Sequence, residues 1–167
     1  MNARWDEYFL QMALVSARMS KDPSTKVGAV LVRKNTVLST GFNGFPRGIA
    51  DNNRLDVRHE KLDIIVHAEM NAVLAAARMG TAIEGSTIYV AATDGTQEIW
   101  GGPPCVRCTV ECMQAGVIEY VSRPIKTAPS RWQESLTKAL CLIHEADLTF
   151  REVPLSLGSV KTELDYP

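Results

Sequence analysis

Two short motifs constrain this chain more than any other feature: His67-Ala68-Glu69 and Pro104-Cys105-Val106-Arg107-Cys108. Together they supply one imidazole, two thiols and one carboxylate. Zinc favours tetrahedral nitrogen and sulfur ligands, and a catalytic site takes three ligands from the protein and leaves the fourth position to water. We therefore predict that His67, Cys105 and Cys108 bind one zinc ion per chain. Glu69 is not needed as a ligand, and it is close enough in the sequence to act as an acid–base group on that water.

The spacing of these residues places the ligands at the starts of helices. Cys105 and Cys108 are three residues apart, so on a helix they share a face and can bind one ion. Pro104 suits a first helical turn, where its missing N–H costs nothing, and the positive end of the helix favours thiolates over thiols. Residues 68–77 are largely strong helix formers, so His67 is expected at the start of a second helix.

Each motif alone has an ordinary explanation. A single C-x-x-C pair is usually a packing feature, a redox dithiol or half of a structural zinc site, and an isolated H-x-E is close to a chance occurrence. The two motifs in this order, each followed by a helical pattern, favour a catalytic zinc site. A redox dithiol would leave His67 and Glu69 unexplained.

The other two cysteines have simpler interpretations. Cys112 follows Cys108 by one helical turn and could be a fourth ligand, although a cysteine at such a position more often belongs to the core. Cys141 lies on an apolar helix face and is predicted to pack in the core.

The composition limits the classes of protein. A chain of 167 residues suffices for one domain with a core, and we expect one domain over residues 1–153 followed by a tail over 154–167 that is poorly ordered or packs on the surface. Lysine and arginine number 18 against 19 acidic residues, which argues against a protein that coats nucleic acid. No apolar run is long enough to span a membrane, and the N-terminus is unlike a signal peptide. The four cysteines indicate a reducing compartment, by default the cytoplasm.

The hydrophobic pattern predicts alternating helices and strands. Apolar residues at helical spacing predict a helix over 4–18, and two apolar runs predict a hairpin of strands at 27–32 and 36–40. A polar loop is expected from 41 to about 63. The remaining predicted elements are helices at 67–80, in the region after Cys105 and at 131–146, and strands at 87–91, 117–121 and 148–153. Strands joined through helices pair in parallel, so the sequence predicts an α/β fold with a mixed five-stranded sheet covered by helices.

Four stretches of the chain carry a resemblance to a known family. They are residues 20–29 (SKDPSTKVGA), 41–48 (GFNGFPRG), 67–72 (HAEMNA), and 104–108 (PCVRC) with 114–117 (QAGV). The chain resembles the deoxycytidylate (dCMP) deaminases of the cytidine deaminase-like superfamily over about residues 4 to 122. The first two stretches distinguish these enzymes from general cytidine and tRNA adenosine deaminases. The resemblance implies a three-layer α-β-α fold.

The resemblance also implies an activity, a pocket and an assembly. The activity is zinc-dependent hydrolysis of dCMP to dUMP and ammonia, which feeds thymidylate synthesis, with Glu69 moving protons to the ring nitrogen and to the leaving ammonia. Asn43, with Gly44 beside it, belongs to the implied nucleotide pocket, and Ala68 offers its backbone to the base. The implied assembly is a homohexamer activated by dCTP, with a Mg²⁺ ion accompanying this effector, and inhibited by dTTP. Lys26 is a candidate contact to the phosphate, although single cations are more often solvated.

One segment departs from the family pattern. Residues 92–102 stand where the family usually has a very short connection, and they lead into the cysteine helix, so they can alter the choice of substrate or effector. Trp100 in this segment is flanked by glycines and either closes over the pocket as a lid or is buried against the protein or a neighbouring subunit. A deaminase of another or a modified deoxynucleotide therefore remains an alternative, as does a catalytically silent zinc-stabilised subunit of an assembly.

Overall fold

A mixed β-sheet runs through the residues that the computed structural model describes, 3–93 and 99–154. The strands are β1 (Lys26–Arg33), β2 (Thr36–Phe42), β3 (Ser86–Thr93), β4 (Ile99–Trp100), β5 (Val117–Ser122) and β6 (Thr149–Glu152). The helices are α1 (Ala3–Ala17), α2 (Arg58–Ile64), α3 (Ala68–Arg78), α4 (Val106–Gln114) and α5 (Ser130–Glu145). Short 3₁₀ turns are formed by Asn53–Leu55 and Ile125–Thr127.

The strand order follows from the connections. The main path through the sheet is β2-β1-β3-β5-β6, and the short β4 pairs with β3 beside this path. β1 is antiparallel to β2 and β3, whereas β3 with β5 and β5 with β6 are parallel. The parallel pairs are connected through α4 and α5, as crossovers require. The β1–β2 hairpin turns at Lys34 and Asn35, whose φ angles of 51° and 59° match the left-handed conformations of a two-residue turn.

Helices cover both faces of the sheet. Val30 and Val32 of β1 belong to a buried cluster with Phe9 and other residues of α1. The alternate residues Ala29 and Leu31 pack in a second cluster with residues of α3, α4 and α5. This alternation with a period of two is that of a strand buried on both faces. The predicted three-layer α/β fold with a five-stranded path is confirmed.

The first turns of α3 lie directly on the backbone of β2 at Gly41. A Cβ atom on this glycine would lie 2.3 Å from the Ala68 carbonyl oxygen and 2.4 Å from the Ala72 nitrogen, which is too close for any side chain. Ser39 of the same strand donates a 2.7 Å hydrogen bond to the Ala72 carbonyl oxygen. The glycine therefore fixes where α3 begins and, with it, the position of His67.

Two segments contain more regular structure than the sequence indicates. The prediction of a polar loop up to residue 63 is wrong in its second half, which forms a 3₁₀ turn and α2. Four residues of this half follow the helical i, i+3, i+4, i+7 spacing, but charges among them obscure the pattern: Arg58, Lys61, Leu62 and Ile65. The segment 92–102 also contains strand structure, because β3 continues to Thr93 and β4 pairs with it.

Part of the chain lies outside the described residues. Residues 94–98 of the predicted insertion and residues 155–167 belong to that part, so the predicted tail over 154–167 stays a prediction. Within the two described ranges, no helix combines the length and the apolar composition that crossing a membrane requires.

A buried ionic network joins α1 to β6 at the edge of the sheet. Asp6, only 3% exposed, accepts hydrogen bonds from the Arg151 guanidinium at 2.7 and 2.9 Å and from the Tyr89 hydroxyl at 2.8 Å. Arg151 also donates to Glu119 at 2.6 Å, and Thr87 donates to the other oxygen of Glu119 at 2.7 Å. Burial raises the pKa of Asp6, but the hydrogen bonds from Arg151 and Tyr89 outweigh it and hold this pKa below its ordinary value of 3.8.

Asp6→Asn should destabilise the protein by about 3 kcal/mol, because Arg151 would keep a partly buried charge without its main partner. The stabilisation from the Asp6 carboxylate is complete above the unfolded-state pKa of 3.8 and is lost as the pH falls through the lower folded-state pKa. Urea denaturation at pH 7 and at acidic pH measures both effects. The control Lys138→Met breaks the exposed pair with Glu134 and should leave the midpoint unchanged. Equal midpoints for the wild type and Asp6→Asn would show that the network does not stabilise the fold.

Candidate metal centre and substrate cavity

Two helix N-termini meet at the predicted zinc ligands. His67 is the N-cap residue of α3, Cys105 is the N-cap residue of α4, and Cys108 lies in the first turn of α4. The Nδ1 atom of His67 lies 3.5 Å from Sγ of Cys105 and 3.4 Å from Sγ of Cys108. We call His67, Cys105 and Cys108 the ligand triad, since their potential ligand atoms all lie within 4.8 Å of one another.

The spacing within the ligand triad fits a tetrahedral zinc ion. Zinc binds histidine nitrogen at about 2.0–2.1 Å and cysteine sulfur at about 2.3 Å, which at a tetrahedral angle separates the two by about 3.6 Å. The observed separations of 3.5 and 3.4 Å are close to that value. One nitrogen and two sulfur atoms also form a donor set that suits zinc, whereas calcium and magnesium take oxygen ligands.

The electrostatics of the ligand triad favour a cation. A hydrogen bond from the Cys108 thiol, assisted by one from His67, lowers the pKa of Cys105 to about 4 against the opposing effect of burial. The hydrogen bond to Cys105 in turn raises the pKa of His67 to about 9, with a further contribution from the charge of Glu69. Cys108 has a raised pKa because its thiol proton is shared with Cys105. A bound cation would displace that proton, since coordinating thiols are deprotonated.

Glu69 is a buried carboxyl group beside the ligand triad. It lies in the first turn of α3, is 4% exposed, and lines the same cavity as His67 and Cys105. Burial raises its pKa above the ordinary value of 4.5, although the charge of His67 opposes this effect. A carboxyl group whose pKa is raised by its surroundings fits a role in carrying protons near neutral pH.

A cavity of about 420 Å³ opens beside the ligand triad, within the range of small-molecule sites. Its walls come from β1 and β3, one face of α2, the segment from Trp100 to Cys105 and the start of α5. The strands contribute the apolar side chains of Val27, Val90 and Ala92. The cavity thus has the candidate metal ligands on one side and apolar strand residues on another.

Asn43 lines this cavity, and most of the donors and acceptors of its side-chain amide form hydrogen bonds within the protein. Its Oδ1 accepts a 2.8 Å hydrogen bond from the Val27 N–H, and its Nδ2 donates to the Thr25 carbonyl oxygen at 2.9 Å and to Asp22 at 3.4 Å. A side-chain amide offers two donors and two acceptor lone pairs, so one lone pair remains. Asn43 can therefore accept one hydrogen bond from a ligand, but it cannot donate one without losing a contact.

Of the other three residues predicted to bind the nucleotide, one lines the cavity and two do not. Ala68 lines the cavity. Gly44 exchanges two backbone hydrogen bonds with Val66, at 3.1 and 2.9 Å, and so supports the residue before His67. Lys26 donates a hydrogen bond to the Ser20 carbonyl oxygen. Among the described residues, Gly44 and Lys26 do not belong to the cavity lining.

The cavity wall contains a buried ion pair that no motif indicates. Lys61 of α2, with a side chain 10% exposed, donates to Asp22 at 3.0 Å and to Ser24 at 2.8 Å. Asp22 also accepts from the backbone N–H groups of Ser24 and Thr25. Burial raises the pKa of Asp22, but these hydrogen bonds outweigh it and lower the pKa. The helical spacing of Arg58 and Lys61 with two apolar residues is the sequence signal that could have identified this wall.

Trp100 and Trp132 form an aromatic wall of the cavity. Their rings stack with a centroid distance of 6.4 Å and an interplanar angle of 17°, and both line the cavity. Trp100 thus packs against the protein and also lines the cavity, and the alternative that its segment closes as a lid stays a prediction. Trp132 could not be predicted from a local motif, because its place in the wall depends on a contact between α5 and β4.

The two remaining cysteines lie outside the ligand triad. Cys112 is fully buried in the core cluster, and burial raises the pKa of its thiol, so its interpretation as a core residue is confirmed. Cys141 is exposed, and the prediction that it packs in the core is wrong. The buried stripe of α5 runs instead through Leu136, Ala139 and Ile143.

Comparison with known proteins relates this geometry to a protein family. Residues 3–122 match the family model of the cytidine and deoxycytidylate deaminase zinc-binding region. The chain belongs to this family. It is a deaminase, and the ligand triad and Glu69 lie within the matched residues.

Individual relatives match most of this deaminase. It is 34% identical, over 94% of its length and 99% of the relative's, to an uncharacterized deaminase in the luxG 3′ region of Aliivibrio fischeri. It is 32% identical to human deoxycytidylate deaminase, over 96% of this chain and 86% of the relative. The crystal structure of dCMP deaminase from the cyanophage S-TIM5 in complex with dCMP and dUMP matches with a TM-score of 0.66 at 21% identity, over 91% of this chain and 98% of that one. The resemblance to deoxycytidylate deaminases is confirmed, and the cyanophage structure shows the shared fold.

Cys108→Ser should remove most of the zinc from the deaminase, because the two remaining triad residues hold the ion far less strongly than three. Elemental analysis of the wild type should find about one zinc per chain. The matched control is Cys112→Ala, which removes a buried sulfur one helical turn further along α4 and should keep the zinc content. A full zinc complement in the Cys108→Ser protein would exclude this cysteine as a ligand.

Proposed function

We propose that this deaminase hydrolyses dCMP to dUMP and ammonia with one zinc ion per chain. The observation that carries the proposal is the buried carboxyl group of Glu69 beside the ligand triad, at a cavity large enough for a nucleotide. A purely structural zinc site takes a fourth protein ligand and needs no such acid. Deoxycytidylate as the substrate is supported by the 32% identity with human deoxycytidylate deaminase and by the dCMP and dUMP bound in the cyanophage enzyme.

Glu69 moves the protons in the proposed reaction. A zinc ion bound by the ligand triad would supply a water whose pKa is lowered to about 7. Glu69 accepts a proton as the water oxygen attacks C4 of the cytosine ring, and it donates this proton to ring nitrogen N3. It then transfers the second water proton to the amino group, which leaves as ammonia. Because Glu69 is buried, bulk water does not compete for these protons.

Asn43 and Ala68 hold the substrate in this proposal. The remaining lone pair of the Asn43 amide oxygen suits a sugar hydroxyl, which can donate to it. Ala68 is the first residue of α3, so its N–H has no partner within the helix and can donate to an acceptor on the base. Gly44 acts indirectly, through its backbone bridge to Val66. Lys26 holds the start of β1 through its contact with Ser20, and its contact with the phosphate stays a prediction.

A deaminase of another deoxynucleotide, or of a modified deoxycytidylate, is the second candidate. The observation that favours it is the wall of Trp100 and Trp132, since Trp132 lies beyond the residues 3–122 that match the family model. Ammonia release from dCMP, CMP, dCTP, dAMP and deoxycytidine separates the two candidates. A catalytically silent subunit of an assembly would turn over no substrate in this panel, and the buried Glu69 argues against it.

The proposal includes an assembly and a cellular setting. Residues 1–153 form one catalytic domain, which works as a homohexamer in the cytoplasm in pyrimidine deoxynucleotide synthesis. Exposed apolar side chains supply surface that subunit contacts can bury: Trp5, Tyr8, Val15 and Ile118. The need for reduced triad cysteines fits a reducing compartment. The effectors proposed from the resemblance are dCTP, with Mg²⁺, and dTTP.

Glu69→Gln should leave the zinc content and melting temperature nearly unchanged while lowering kcat for dCMP by about two to four orders of magnitude, the usual effect of a placed acid–base group. The matched control is Glu111→Gln, since Glu111 also acts on the charge of His67 but does not line the cavity. This control should retain kcat within severalfold. A similar kcat for Glu69→Gln and the wild type would remove Glu69 from the proton-transfer steps.

Light scattering should give the mass of a hexamer, and dCTP with Mg²⁺ should lower the apparent KM for dCMP, whereas dTTP should raise it. These effects follow if each effector binds one of two assembly states preferentially. Steady-state kinetics with and without each nucleotide measure them. A monomer with hyperbolic kinetics that neither nucleotide alters would overturn this part of the proposal.

A further inference from the structure

The cavity carries more positive charge than its own ion pairs neutralise. Among the described residues, three basic side chains line it, those of Arg58, Lys61 and Arg131. The carboxylates that line it are Asp22 and Glu69, and Lys61 pairs with Asp22 at 3.0 Å. Within the described residues, no ion pair joins Glu69 or Asp22 to either arginine, so the charges of the two arginines remain.

Neither arginine is paired with a carboxylate in the described part of the chain. Within residues 3–93 and 99–154, no ion pair involves Arg58 or Arg131. Arg131 makes one long hydrogen bond, 3.5 Å, to the Thr25 hydroxyl. A guanidinium carries five N–H donors, so most of them stay available. Both side chains belong to exposed residues of the cavity lining, where a ligand can reach them from solvent.

The two arginines approach the cavity from different helices. Arg58 is the first residue of α2 and shares a helical face with Lys61, one turn later. The Lys61 side chain contacts the Ser24 hydroxyl at 2.8 Å. Arg131 lies in the first turn of α5 and contacts Thr25. Because Ser24 and Thr25 are adjacent, α2 and α5 both contact the loop that precedes β1.

The same loop adjoins the proposed sugar contact. Asn43 donates a 2.9 Å hydrogen bond to the Thr25 carbonyl oxygen, and Arg131 contacts the hydroxyl group of the same residue. The side chains of Asn43 and Arg131 thus both contact Thr25, and both line the cavity.

We propose that Arg58 and Arg131 form a phosphate clamp, which binds the 5′-phosphate of the substrate and makes the deaminase prefer nucleotides to nucleosides. The clamp rests on the proposed function, since it requires a nucleotide in this cavity. Guanidinium groups suit this task because their planar N–H forks can bind two phosphate oxygens at once. Lys61 supports the clamp indirectly, because its pairing with Asp22 removes a charge that would repel phosphate. Arg131 lies beyond the residues 3–122 that match the family model, so the family motifs do not specify this half of the clamp.

The first test compares a nucleotide with its nucleoside. Arg131→Ala should lower the ratio of kcat/KM for dCMP to kcat/KM for deoxycytidine by about tenfold or more, mainly through KM, because a hydrogen-bonded charge is lost. The matched control is Arg78→Ala, which removes an exposed arginine from the last turn of α3 and should leave the ratio unchanged. Added salt should raise the KM of the wild type for dCMP more than that of Arg131→Ala.

The second test measures binding without turnover. Calorimetry should show that Arg131→Ala and Arg58→Ala each bind dUMP about tenfold more weakly than the wild type does, while deoxyuridine binding is unchanged. An equal loss for dUMP and deoxyuridine, with zinc content and melting temperature intact, would overturn the clamp. If Arg131→Ala melts early, Arg131→Gln replaces it in both tests.

The two proposals can fail separately. A wild type that releases no ammonia from dCMP, yet binds dUMP over deoxyuridine through Arg131, would reject the proposed substrate and support the clamp. A wild type that deaminates dCMP with a nucleotide preference that neither arginine affects would support the proposed function and reject the clamp.

Discussion

The contact between β2 and α3 at Gly41 determines how closely α3, with His67 at its start, can approach the sheet. Because a side chain at this residue would collide with the backbone of Ala68 and Ala72, α3 can lie on the sheet at its very first turns. The N-terminus of α3 then meets that of α4, and His67 comes to 3.5 and 3.4 Å from the two cysteine sulfurs. A backbone contact of this kind cannot relax by a change of rotamer, so it holds His67 more rigidly than side-chain packing would.

The ligand triad could be predicted from the sequence because its geometry is local. A spacing of three residues places Cys105 and Cys108 on the same helical face, and a run of helix formers after His67 predicts that a helix begins there. The same holds for α1, expected over 4–18 and observed as Ala3–Ala17. Apolar runs predicted the five main strands. The reason is clearest for β1 and β3, which are buried along most of their length, because strands buried on both faces must be apolar at nearly every position.

The cavity walls could not be predicted, because they depend on contacts between distant segments. Lysine is almost always exposed, yet Lys61 is buried. Its charge is paired with Asp22, which lies 39 residues earlier in the chain. The sequence also gave no sign that the Asn43 amide would be used mainly to hold the start of β1. Trp132 joins the site only because α5 packs beside β4. In each case the decisive partner is far away in the chain, and no local pattern identifies it.

The ion pair between Asp6 and Arg151 spans 145 residues, and its formation has a consequence for biogenesis. Contacts between such distant residues form late, because the entropy of closing a long loop must be overcome first. During synthesis, the segments that carry the ligand triad leave the ribosome before β6 does. The helix α5, with Arg131 and Trp132, is anchored at its far end only when β6 has paired with β5. A nascent chain can therefore bring His67, Cys105 and Cys108 together before the wall formed by Trp100 and Trp132 is complete.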